Sequence, residues 1–243
     1  MTQIILCCSF APLSIDYDYS GLSSFNDLAD SCIFFNSGID ANTISVINNQ
    51  FTIPISWYKY SFVDFCTMRN DLIKKARKIP NSFIWMIDDS YCINCPYTKN
   101  QLNELIRDRN CLECKFRCHT YEDNVIKLFR ADSFHYILQV HEILVPINTF
   151  NKVITDIQIL DIPDYTRSQS RALRDIKWME SDLINYNGDI FIMAHLCIYL
   201  ADAYYTIGNK SKSINYYQKV IELDGPYLKR ARRALNSYLQ DSF

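Results

Sequence analysis

Several things are scarce in this sequence of 243 residues, and each absence narrows the reading. A dominant charge is missing: 25 Lys and Arg stand against 27 Asp and Glu, a formal net charge of −2. No global field therefore draws the chain to nucleic acid or to an anionic membrane. Long apolar runs are missing too. The longest early one, Ile4 to Phe10, is too short to cross a bilayer and follows no basic residue, so neither a transmembrane segment nor a signal peptide is expected. Glycine is down to 5 residues, while Asn, Ile and Tyr are plentiful. That bias suits an AT-rich genome and says nothing about chemistry. What is abundant is core material, with 49% hydrophobic and 14% aromatic residues. Disorder is excluded, and one large domain or two modest ones fit the length. Ten cysteines without an export signal are expected as reduced thiols, buried or metal-bound, in a cytoplasmic protein.

The front of the chain alternates short β-prone runs with helical spacing. Ile4 to Phe10 and Ser31 to Phe35 read as strands around a short helix from Leu22 to Ala29. A helix near Ile44 to Ile47 and a strand over Phe51 to Ile55 follow, then an amphipathic helix from Asp64 to Lys78 stopped before Pro80. Ser82 to Ile87 is an apolar strand running directly into Asp88 and Asp89. Parallel strands joined by helical crossovers bind ligands beyond their carboxyl ends. Two polar loops fall there, Asn36 to Thr43 and Asp88 to Ser90. Adjacent carboxylates at a strand end offer hard oxygens to Mg²⁺ or Mn²⁺, although an isolated Asp pair is more often a solvated turn.

Segments in fixed order change that weighing. "IFFNSGIDANT" (Ile33 to Thr43), "DFCTMRNDLIKKA" (Asp64 to Ala76), "FIWMIDDS" (Phe83 to Ser90), and "VIKLFR" followed by "QVHEIL" (Val125 to Leu144) resemble family 2 glycosyltransferases, in particular their tetratricopeptide-bearing branch. The resemblance covers most of the chain. It implies an α/β fold: a GT-A, Rossmann-like nucleotide-diphospho-sugar transferase domain over residues 1–160, followed by an α-helical tetratricopeptide-like tail over 161–243. It also implies metal-dependent, inverting transfer from a nucleotide-sugar donor, a UDP-sugar, to a hydroxyl of a glycan or protein acceptor. Carried across, the donor falls on Asn36, Gly38, Asp40, Arg69 and Asp88, and Mn²⁺ or Mg²⁺ on Asp89 with His141 as a late ligand. Glu142, with His141, takes the place of the general base. A cation and an Arg suit the charge that develops on a departing nucleoside diphosphate.

Four departures accompany the match. Asn36 stands where the family has Asp, Asn42 replaces a Gly, and the acidic segment after the first strand is reduced to Asp16 and Asp18. The family's Asp-x-Asp becomes Ile87-Asp88-Asp89, which loses the first acid or shifts it by one residue. A catalytically reduced protein that binds partners through its tail is the competing expectation.

Cys92, Cys95, Cys111 and Cys114 have four-thiolate zinc spacing, with Cys118 and His119 as spare ligands, and a zinc-ribbon adaptor is a third reading. A helix from Thr98 to Arg109 would hold Cys95 and Cys111 roughly 18 Å apart. A mixed site with Cys118 and His119 stays open, beside separate buried or free thiols. After Pro163 the pattern turns helical: about Ser168 to Tyr186, Asp189 to Ile207, Lys210 to Leu223 and Pro226 to Gln240. Leu200 to Pro226 resembles one tetratricopeptide unit. A single unit leaves a face to cover, by the transferase domain or by a second copy in a homodimer. Lys229, Arg230, Arg232 and Arg233 read as a solvated helix face.

Overall fold

The structure, a computed structural model, describes residues 2–11, 19–118, 121–161, 169–186 and 188–240. Asp16, Asp18, His119, Pro163 and Ser168 lie outside the described residues, as does the side chain of Cys118. The chain divides into two compact units, Met1–Ile137 with Leu144–Asp164, and Leu138–Ile143 with Tyr165–Phe243.

The first unit is built on an eight-stranded mixed sheet. Strands β1 (Gln3–Phe10), β2 (Ser31–Asn36), β3 (Ile55–Lys59) and β4 (Ser82–Met86) run parallel. Beyond them come β5 (Tyr91–Asn94), β6 (Cys111–Cys118), β7 (Tyr121–Arg130) and β10 (Lys152–Asp161), and the order across the sheet is β3-β2-β1-β4-β7-β6-β10-β5. A separate ribbon pairs β8 (Phe134–Ile137) with β9 (Ile143–Pro146). Strand residues alternate between two cores, as a period of two requires. Ile4, Leu6, Cys8 and Phe10 of β1 join Phe34 and Trp85 on one face, under Leu22 and Phe25 of a 3-10 helix (Ser20–Phe25) and Leu102 and Ile106 of α3 (Lys99–Ile106). Ile5 and Cys7 join Phe35 and Met86 on the other, under Met68, Leu72 and Ile73 of α2 (Phe65–Ala76). Strands covered on both faces explain why β1 and β4 read as continuous apolar runs.

The expected elements recur with shifted edges. The strand expected over Phe51 to Ile55 instead begins at Ile55 and takes in Trp57 and Tyr58. Pro54 has no amide hydrogen, and its carbonyl accepts from Cys32 N at 2.8 Å, so it serves the ladder only from the strand's edge. The short helix near residue 22 is a 3-10 turn ending at Phe25. Helix α1 spans Ala41–Asn48. After β8 the chain leaves the extended conformation before His141 and Glu142, because Leu138 (φ 70°) and His141 (φ 54°) adopt left-handed backbone that no extended strand accommodates.

Helix α2 owes its start to Asp64, which is buried and accepts from Thr67 N at 2.7 Å and from Thr67 Oγ1 at 2.8 Å. Asp64→Ala is expected to cost about 1–2 kcal/mol of stability, the upper part of the range for an N-cap loss. The urea midpoint measures it, and an unchanged midpoint would dismiss the cap as an anchor.

The second unit contains α4 (Gln169–Asn185), α5 (Ile190–Thr206), α6 (Lys210–Glu222) and α7 (Leu228–Gln240), each packed on the next in sequence. Ala201, Tyr204 and Tyr217 are buried between them, and Gly208 supplies the left-handed turn (φ 78°) between α5 and α6. Segment 138–143 belongs to this unit. Asp182 accepts from Gln139 N at 2.7 Å, the His141 carbonyl accepts from His195 Nε2 at 2.7 Å, and the His141 ring stacks on Tyr199 with centroids 3.8 Å apart. The expected basic face of α7 needs one addition. Arg230 is exposed as expected, but it is also paired with Asp202 and lies over the Tyr199 ring, so it ties α7 to α5 as well as facing solvent. No described helix is long and apolar enough to cross a membrane.

Candidate functional site

The sheet order defines where a ligand would go. From β1 the chain winds outward through β2 to β3, then returns to lay β4 on the other side of β1. Between β1 and β4 the winding direction reverses, and the crevice beyond their carboxyl ends is the topological switch point of an open α/β sheet. Asp88 and Asp89 leave β4 at that point: Cys7 pairs with Met86, and Ile87 N donates to the Cys7 carbonyl at 3.1 Å.

The two carboxylates have different neighbours. Asp88 Oδ1 accepts from Arg69 Nη2 at 2.7 Å, in a pair whose side chains are 8% (Arg69) and 40% (Asp88) exposed. Arg69 projects from α2 and also lies over the Tyr136 ring, 5.4 Å from its centroid. A second cation comes from β7. Lys127 Nζ donates to Tyr91 Oη at 3.3 Å and sits 4.9 Å from the centroid of that ring. Burial works to raise the Asp88 carboxyl, but the charges of Arg69 and Lys127, with hydrogen bonds from Tyr91 and Arg69, outweigh it and hold the group below its usual range. Burial and the Asp88 charge push the Tyr91 hydroxyl far upward, so it remains a donor.

Asp89 is half-buried in the turn after Asp88. Burial first, then the charges of Asp89 and Asp88, raise the Cys8 thiol. Burial, Asp89, Cys8 and Asp40 push Tyr19 up to about 12. Asp89, Asp40, Tyr19 and the end of β1 therefore share one electrostatic neighbourhood. On the loop after β2, Asn36 Oδ1 accepts from Gly38 N at 2.8 Å and from Ile39 N at 2.9 Å. Gly38 is left-handed (φ 117°), which that tight turn requires. Asp40 caps α1 by accepting from Thr43 N at 2.7 Å, and that hydrogen bond lowers its carboxyl.

Arg69, Asp88 and Asp89 thus meet in the first unit at the carboxyl ends of the parallel strands, and Asp40 lies within reach of their field. Asn36 and Gly38 form the neighbouring loop, where the Asn36 oxygen is used by its own turn. His141 and Glu142 belong to the second unit. Sequence reasoning missed Lys127, Tyr91 and Asn70. Lys127 arrives from an antiparallel strand whose neighbour Leu128 pairs with Trp85, a pairing no local pattern announces. Asn70 pins β8 to α2, its Oδ1 accepting from Tyr136 N at 2.8 Å and its Nδ2 donating to the Tyr136 carbonyl at 2.9 Å. The Arg-Asn dipeptide was the available signal for it.

Among the described residues, no group of three or more His, Cys, Asp or Glu is placed to hold a metal ion. A small hard cation that bridges a substrate diphosphate needs only one or two protein carboxylates, and the donor set here fits that mode through Asp89. Zinc has less support. Cys92 and Arg117 both align with Leu160 on opposite sides of β10, which leaves their strands roughly 9–10 Å apart. Cys114 is buried in the core beneath the sheet, and burial raises its thiol.

The depressed Asp88 carboxyl has a measurable consequence. Its stabilising contribution is full above the ordinary carboxylate value of about 3.9 and fades as pH falls below that through the lower folded value. Carboxyl-carbon NMR should find Asp88 titrating below its ordinary range, and Arg69→Met should raise it. An ordinary value in the native protein would contradict the pairing.

The fold and site define an α/β protein with a charged crevice at its switch point. No family model matches the chain, and no curated protein is similar to it. Among solved structures, the chain is similar to TarS of S. aureus (TM-score 0.43, 11% identity, covering 95% of this chain and 50% of that one). Similarity extends to residues 1–349 of TarS in complex with UDP (TM-score 0.41, 11% identity, 96% and 87% covered). HddC of Yersinia pseudotuberculosis is a further neighbour (TM-score 0.40, 11% identity, 67% and 94% covered). The chain spans half the length of the full TarS chain. Likenesses of this size assign no activity, and the family 2 and tetratricopeptide readings rest on the sequence resemblance alone.

Proposed function

We propose that the protein transfers a sugar from a nucleotide-diphosphate donor, a UDP-sugar, to a hydroxyl acceptor, with the donor diphosphate held at the switch point. The observation that carries this reading is the meeting of Asp88 with the cations Arg69 and Lys127 directly beyond β4, with Asp89 the next residue in the chain. Such a set offers a hard anionic ligand beside fixed positive charge, which is what a leaving diphosphate needs. Asp89 would hold Mn²⁺ or Mg²⁺, which when bound would supply positive charge to the leaving diphosphate. Asp88 orients the Arg69 guanidinium, and Arg69, Lys127 and Tyr91 in turn keep Asp88 ionised. The loop of Asn36, Gly38 and Asp40 flanks the nucleoside. The base and late-ligand roles that the resemblance gives to Glu142 and His141 are not needed for donor binding, so the donor test is independent of them.

That test is thermal shift of the full chain against several nucleotide sugars, with and without Mn²⁺. A ligand that binds only the folded state at 100 times its Kd raises stability by about 2.7 kcal/mol. The expected result is a shift with a UDP-sugar that EDTA abolishes. No shift with any donor would reject the reading. A second reading, donor binding without turnover in a protein that works through its helical unit, is favoured by two commitments: Asp88 to Arg69, and the Asn36 oxygen to its own loop. A donor-dependent shift with no release of nucleoside diphosphate over hours would select it.

A further inference from the structure

Away from the switch point, the outer edge of the sheet forms a groove of about 480 Å³ between β3 and α2. Its walls carry four lysines, Lys59 from β3 and Lys74, Lys75 and Lys78 from α2 and the turn after it, against a single carboxylate, Asp71. Four cations less one anion leave +3 in a chain whose net charge is −2. Asp71 is already engaged, accepting from Lys74 Nζ at 2.8 Å and from Tyr60 Oη at 3.2 Å. Among the described residues, Lys59, Lys75 and Lys78 have no carboxylate within ion-pair distance. The groove also has an aromatic floor: Tyr60 stacks on Phe35 with centroids 4.4 Å apart and planes at 10°, and Lys75 Nζ lies 4.1 Å from the centroid of Tyr58.

Simpler accounts cover parts of this. Lysines in the last turn of a helix complement its dipole, and a lysine on an edge strand discourages pairing with another chain. Neither explains why side chains from two elements converge on one concavity with ring faces at its base. We propose that this groove is a second ligand site, for a small molecule carrying two or more linked phosphates. Its volume lies within the range of about 300–1,000 Å³ typical of small-molecule sites. Ammonium groups act as mobile point charges toward phosphate, and several of them select for multiple charge. The groove is a concavity rather than an extended basic stripe, which favours a compact ligand over nucleic acid. It adjoins the donor loop, since Lys59 pairs with Asn36, but β2 and β1 lie between β3 and β4, which sets Asp88 and Asp89 three strand spacings, roughly 14 Å, away. The inference is independent of the transfer reaction.

Calorimetric titration of the full chain with pyrophosphate and tripolyphosphate, in EDTA so that no metal-bridged binding contributes, tests it. Saturable binding that weakens with added salt is expected. The exposed pair Lys74→Gln with Lys78→Gln should weaken it about ten-fold or more, the scale for loss of a hydrogen bond to a charged group. Asp89→Asn should leave it unchanged, and Lys74→Arg with Lys78→Arg should restore most of it. Absence of saturable binding, or binding that the glutamine pair leaves intact while thermal melts show it folded, would overturn the proposal. A short RNA held more tightly than tripolyphosphate through the same lysines would overturn the assignment to a small ligand.

Discussion

Asp89→Asn is expected to abolish the Mn²⁺-dependent part of donor binding and to lower kcat/KM by about 10²–10³-fold, the scale for losing one preorganised stabiliser of transition-state charge. An amide keeps the shape and the hydrogen-bonding capacity of the side chain but not the anionic oxygen that a hard cation needs. Because Asp89 stands half-buried in a turn, the change should alter stability by no more than about 0.5 kcal/mol. That combination, a large functional loss on an intact fold, separates a ligand from a structural residue. Nucleoside diphosphate release across a Mn²⁺ titration measures it. Turnover and metal dependence equal to those of the native protein would remove Asp89 from the site, whereas a native protein inactive with every donor would remove the transferase reading.

Arg69→Met carries the second large effect, and here function and stability should both suffer. Arg69 is buried and its partner Asp88 is 40% exposed, so the pair is partly screened. Breaking a fully buried pair costs about 3–5 kcal/mol, and the exposure of Asp88 together with the remaining Lys127 charge reduces the expectation to about 1–2 kcal/mol. Loss of the guanidinium should also lower kcat/KM by about 10²-fold or more, since a charge aimed at the leaving diphosphate is removed. Arg69→Lys should recover stability better than activity, because an ammonium can pair with Asp88 but cannot reproduce the planar fork. Paired urea melts and turnover assays decide the matter. An Arg69→Met protein with native activity would confine Arg69 to holding Asp88.

Much of the frame was legible locally. β1, β2 and β4 were visible as apolar runs because their residues are buried on both faces, and α2 announced itself through Asp64 and its apolar spacing. The four C-terminal helices fell within a residue or two of their expected bounds: α4, α6 and α7 show 3.6-residue periodicity, while α5 is a 17-residue segment, apolar nearly all round, longer than an ordinary strand. The other half of the sheet was harder. β5, β7 and β10 gain their identity from pairing with residues far away in sequence, such as Asp161 with Tyr91. β5, at four residues, is too short to carry much information of its own.

At the site, the sequence by itself determined that two carboxylates follow an apolar strand, that an Arg lies on the preceding helix, and that a polar loop follows the second strand. These are consequences of chain order and periodicity, which are local. Tertiary structure decided what each group touches. It tied Asp88 to Arg69, brought Lys127 in from the neighbouring β7 onto Tyr91, three residues after Asp88, folded the Asn36 oxygen into its own loop, and packed the His141 ring on Tyr199 in the helical unit. The physical reason is that a side chain's charge state and partners depend on distances of a few ångströms, many of them between residues well apart in sequence such as Arg69 and Asp88 or Lys127 and Tyr91, and only the assembled fold sets those distances.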